Sequence, residues 1–94
     1  MREINYNGNT YTQVQKRTAE KLFNNGGTVY IIACNANPCS PWINGFYELS
    51  LELLSKHDDY IPEYDNDFRK HVNSYEYYNC NSELGKYSHF YIIK

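Results

Sequence analysis

The sequence predicts an α+β domain: an antiparallel sheet of four to six strands with two helices packed on one face. Three observations predict it. Strand-type residues flank an Asn7-Gly8 turn near the start of the chain. An apolar helical face then stops at Asn25-Gly26-Gly27, ahead of a β-branched run. The last stretch, Lys86 to Ile93, alternates with period two behind a glycine-ended loop. Hairpins at both ends with helices between them suit an antiparallel sheet covered on one side. With 94 residues, the chain makes one domain, residues 1–94.

The elements follow in order. Ile4-Asn5-Tyr6 and Thr10 to Val14 flank Asn7-Gly8, whose positions tolerate the positive φ that two-residue hairpins require. Residues 16–25 predict a short helix, with Ala19, Leu22 and Phe23 at i, i+3 and i+4. Thr28 to Cys34 has the β-branched and aromatic content of a buried strand. Residues 35–45 are rich in turn formers and predict a loop. Residues 46–57 carry two patterns at once. Leu49, Leu51 and Leu53 alternate as in a strand, while Leu49, Glu52, Leu53 and Lys56 suit a helix; a strand near 46–51 running into a helical turn at 52–57 is expected. Residues 58–65 contain Pro62 and read as a surface connection. Asp65 or Asn66 is then placed to cap a helix in which Phe68, Val72 and Tyr75 share a face. Tyr77-Tyr78-Asn79-Cys80 and Lys86 to Ile93 predict a closing hairpin around residues 81–85.

Composition limits the function classes. No apolar run approaches the ~20 residues that span a bilayer, and residues 1–5 lack the apolar core of a signal peptide. Twelve asparagines form no Asn-x-Ser/Thr sequon, and the cysteines number three. A cytoplasmic protein is therefore expected. The net charge of −2 is unevenly spread. Residues 48–67 hold seven carboxylates against Lys56, whereas the segments on either side are each mildly basic. Sequence-specific nucleic-acid binding needs a concentrated basic face and is not expected. An acidic middle suits a basic protein partner.

The chemistry-bearing residues yield no enzyme motif. Cys34 and Cys39 form one loose pair with Cys80 and His89 far away, short of a zinc signature. A thiol-dependent enzyme would have to use Cys39, with His89 or His71 as its base; no spacing brings them together. Asp58, Asp59, Glu63, Asp65 and Asp67 lack the spacing of a calcium loop. Gly26-Gly27 precedes a strand and so cannot cradle a phosphate at a helix start. No catalytic residue, metal or cofactor is expected.

Aromatic residues give the strongest functional hint. Eleven tyrosines and Trp42 exceed what a small core absorbs, so some must face outward. Exposed tyrosine suits recognition surfaces because it offers large contact area at low entropic cost; cross-strand tyrosine ladders that stabilise a sheet are the competing use. The expected docking residues are Trp42, Asp58, Asp59, Tyr60, Glu63, Tyr64 and Asp65. The alternative is a small-ligand sponge for a nucleotide signal. Asn35, Asn37, Trp42 and Asn44 would hold the base, and Arg17, Arg69 and Lys70 would meet the phosphates. Unpaired hairpin edges also offer a route to a homodimer.

Two stretches carry a family resemblance. One runs from Lys16-Arg17-Thr18-Ala19-Glu20 to Asn25-Gly26 and is followed by an apolar strand and a Pro/Trp loop. The other is Tyr77-Tyr78-Asn79-Cys80-Asn81-Ser82-Glu83-Leu84-Gly85-Lys86 followed by Phe90-Tyr91. Both resemble short, uncharacterised reading frames of phages and mobile elements of low-GC Gram-positive bacteria. The likeness covers most of the chain outside roughly residues 46–64. It implies a small accessory protein that inhibits a bacterial defence system by binding a host defence protein, as anti-CRISPR proteins do.

Overall fold

The computed structural model describes residues 3–6, 8–33, 47–79 and 88–93. Strands β1 (Glu3–Tyr6) and β2 (Asn9–Val14) pair antiparallel, with Glu3 opposite Thr12 and Tyr6 opposite Asn9. Gly8, with φ 82°, supplies the left-handed backbone of the turn between them. Helix α1 (Lys16–Asn24) follows and buries Ala19 and Phe23. It ends in a Schellman motif: the Gly27 N–H donates to Leu22 O at 2.7 Å and the Gly26 N–H to Phe23 O at 3.0 Å. Gly26 takes φ 89°, and a Cβ at Gly27 would lie 2.9 Å from Leu22 O. The Asn25-Gly26-Gly27 signal thus marks the helix end for a steric reason.

Strand β3 (Val29–Ala33) leads, beyond the undescribed residues 34–46, to β4 (Tyr47–Leu49), and the two pair antiparallel. The mixed pattern at 46–57 resolves at Ser50. Its buried side chain accepts the Leu53 N–H at 3.1 Å and so caps α2 (Leu51–Ser55). Strand gives way to helix where a serine can replace the missing ladder partner with a cap. Ser50→Ala is expected to cost about 1 kcal/mol, because a capped helix N-terminus loses its side-chain acceptor. A lower urea midpoint with unchanged slope would check this.

The acidic connection contains one helical turn, α3 (Pro62–Asp65), and α4 (Phe68–Asn79) follows. Asp67 caps α4, its Oδ1 accepting the Lys70 N–H at 3.3 Å; the capping expected of Asp65 or Asn66 moves one or two residues on. The strand expected at 77–80 is corrected over 77–79, since α4 continues through Asn79; Cys80 lies outside the described residues. Phe68, Val72 and Tyr75 are all buried, and a helix anchored at three turns propagates through tyrosines whose strand preference depends on context. Strand β5 (Ser88–Ile93) therefore closes no hairpin with residues 77–79.

Instead, β5 inserts between β2 and β3. The five-stranded sheet has the order β1-β2-β5-β3-β4, every pair antiparallel. Tyr91 of β5 lies opposite both Gln13 and Tyr30. Strand alternation sends Val29, Ile31, Leu49 and Phe90 into a core with Ala19, Phe23, Leu54, Phe68, Val72 and Tyr75 from the helices. On the opposite face Tyr11, Tyr30, Ile32 and Tyr91 form a second buried cluster against Ile4. The domain is thus α+β, with helices on the face that carries the larger core. Among the described residues no helix is long and apolar enough to cross a membrane.

Candidate functional site

The tyrosines divide by location. Tyr11 and Tyr30 meet edge to face, ring centroids 5.0 Å apart, in the cross-strand cluster. They act as sheet ballast. The Tyr30 hydroxyl donates to Glu48 Oε1 at 3.2 Å across the β3–β4 pair. Burial, then the Glu48 charge and this hydrogen bond, push the Tyr30 phenol up to about 12 from 10.0. Its proton is held more tightly in the folded than in the unfolded chain, so the linked stability is intact below pH 10 and is lost as pH rises through 12. Urea midpoints of the native chain should fall more steeply than those of Tyr30→Phe over that interval. Equal slopes would dissociate the tyrosine from alkaline unfolding.

The outward tyrosines are different. Tyr64 is 68% exposed and lies on α3, three residues from Ile61, itself 48% exposed. Asp58, Asp59 and Glu63, within six residues of Tyr64 in sequence, are exposed as well. The segment is short, yet it is tied at several points. The Ile61 N–H donates to Asp65 Oδ2 at 2.7 Å, and Pro62 fills the first helical position, where its missing N–H costs nothing. Lys70 of α4 donates to Tyr64 O at 3.2 Å, pairs with Asp65 Oδ1 at 3.6 Å, and sits 6.0 Å from the Tyr64 ring centroid. His71 Nε2 lies 2.6 Å from Asp65 O, a contact in which the ring nitrogen donates. The Tyr60 hydroxyl donates to Asn66 Oδ1 at 2.7 Å, while its ring packs against the main core.

The Asp65 carboxyl is held below its ordinary value by the Ile61 N–H first and the Lys70 ammonium next. A depressed folded-state value means the tie contributes above the ordinary carboxyl value of 3.8 and is lost as pH falls through the depressed one. At neutral pH the carboxylate is therefore ionised and able to accept the Ile61 N–H.

The residues expected to dock thus serve two roles. Asp58, Asp59, Glu63 and Tyr64 form the outward surface, and Ile61 joins them. Sequence reading passed over Ile61 because an isolated isoleucine beside a proline has no pattern that betrays exposure. Tyr60 and Asp65 build the support. Trp42 lies outside the described residues.

The alternative nucleotide site finds less. Asn35, Asn37, Trp42 and Asn44 lie outside the described residues, as do Cys34, Cys39 and Cys80. Arg69 pairs with Glu20 of α1 at 3.3 Å, and Lys70 is engaged with Asp65 and Tyr64 O. Two of the three cations named for phosphates already hold carboxylates, while Arg17 is exposed on α1. Among the described residues no three His, Cys, Asp or Glu side chains gather as a metal site. No protein-family model matches the chain, and neither a curated protein nor a solved structure does.

Proposed function

We propose that this chain is a non-enzymatic binding protein that docks on a basic surface of a partner protein through the turn at residues 58–65. The observation that carries the reading is the pairing of exposed Tyr64 and Ile61 with Asp58, Asp59 and Glu63 on a turn fixed by Asp65, Lys70 and Tyr60. A preformed turn loses little entropy on binding. An exposed aromatic on an acidic segment combines a hot spot with steering toward the opposite charge. The resemblance to phage and mobile-element reading frames supplies the partner class: a host defence protein in the bacterial cytoplasm, inhibited by occupancy.

The test is affinity purification of the tagged chain from a Gram-positive host, with co-purifying proteins identified by mass spectrometry. A stoichiometric partner, displaced by salt and lost on Tyr64→Ala, is the expected result. Recovery of the chain alone would overturn the reading.

A further inference from the structure

Strand β2 leaves the sheet at Val14, opposite Phe90, and the chain turns into α1 at Lys16. Beyond that point β5 keeps β3 on one side, with Ile32 opposite His89 and Ala33 opposite Ser88. On its other side a cleft of about 440 Å³ opens, lined by Gln13, Val14, Gln15, Lys16, Glu76, Ser88, His89 and Phe90. Its size falls in the range of small-molecule sites.

Its lining includes one acidic and one basic residue, Glu76 and Lys16. On the α4 side Glu76 Oε2 accepts both the Ser88 N–H and the Ser88 hydroxyl, each at 2.8 Å. The carboxylate is thereby fixed in orientation, and among the described residues Oε1 has no partner. Lys16, which also lines the cleft, is exposed at the first position of α1 and has no ion pair among the described residues. Gln13 and His89 reach the rim from the other face of the sheet, by strand alternation, with Gln13 Nε2 3.3 Å from His89 Nδ1. Val14 and Phe90 supply the apolar part of the lining.

We infer that this cleft binds a small zwitterion, a free α-amino acid, with its ammonium on Glu76 Oε1 and its carboxylate on Lys16. Charge complementarity selects the class. A simple anion drawn to Lys16 would face the fixed Glu76 carboxylate, and a simple cation drawn to Glu76 would face Lys16. A ligand with both charges meets a partner for each and is penalised by neither. The site is separate from the turn at 58–65, so it stands or falls independently of the docking proposal.

Isothermal titration of the full chain with each standard L-amino acid tests it, followed by the N-acetyl and amide forms of any that binds. At least one free amino acid should bind, and capping either end should weaken it ~10-fold or more, as expected when one partner of a charge pair is removed. Glu76→Gln and Lys16→Met should each produce a similar loss, with the fold checked by circular dichroism. Lys16 is exposed, so its variant keeps the test valid if Glu76→Gln is unstable. Failure of every amino acid to bind, or binding that survives capping of either end or survives Lys16→Met, would overturn the inference.

Discussion

Replacing Phe68 by alanine is expected to cost about 3–5 kcal/mol, the cost of emptying a buried aromatic site that cannot collapse. Phe68 is 2% exposed at the first residue of α4. Its ring lies 5.6 Å from Phe23 of α1 and 5.8 Å from Phe90 of β5, centroid to centroid. One side chain thus joins both long helices to the central strand. The neighbouring Arg69–Glu20 pair also links α1 and α4, but it is largely exposed and contributes at most about 1 kcal/mol. It cannot replace the aromatic contact. Since a domain of this size holds only ~5–15 kcal/mol in total, the variant should melt some 15 °C or more below the native chain. Phe68→Leu keeps most of the volume and should recover over half of the loss. Equal melting temperatures for Phe68→Ala and the native chain would mean that α4 does not rest on the sheet as described.

The same cluster shows what was legible in the sequence. Phe68, Val72 and Tyr75 gave the buried face of α4 through their spacing alone, and Ala19 and Phe23 did so for α1. The Asn7-Gly8 turn and the Gly26-Gly27 stop were legible because a positive φ is a local demand on one residue. The position of β5 was not. Its alternation reads equally well beside any strand, and the choice of β2 and β3 is settled by contacts more than fifty residues apart, such as Val14 with Phe90. The expected hairpin at 77–93 took the nearest strand-like residues as partner, whereas burial of Tyr75 had already committed them to the helix. Glu76 meeting Ser88 depends on that same arrangement, so the cleft had no sequence signal. The acidic turn was visible from charge. Its split into support and surface was not, because the Tyr60 and Tyr64 environments depend on how one turn of helix sits against α4.

That split yields a second large effect. Tyr64→Ala should leave the melting temperature nearly unchanged, since the ring is mostly exposed and surface substitutions usually stay within about 0.5 kcal/mol. It should nevertheless weaken partner binding by about 2 kcal/mol or more, roughly 30-fold, as loss of an aromatic anchor does. Tyr60→Ala should behave differently. It removes a ring packed on the core and a hydroxyl bonded to Asn66, so stability should fall by ~1–3 kcal/mol, and binding should fall because the turn loses its support. Tyr60→Phe separates the two contributions: it retains the packing and removes only the bond to Asn66, which is worth about 1 kcal/mol. Binding assays beside melting curves for the three variants decide the matter. Affinity lost in Tyr64→Ala at constant stability assigns the ring to the interface. Affinity retained there would exclude the turn at 58–65 as the docking surface, even where a partner protein co-purifies with the chain.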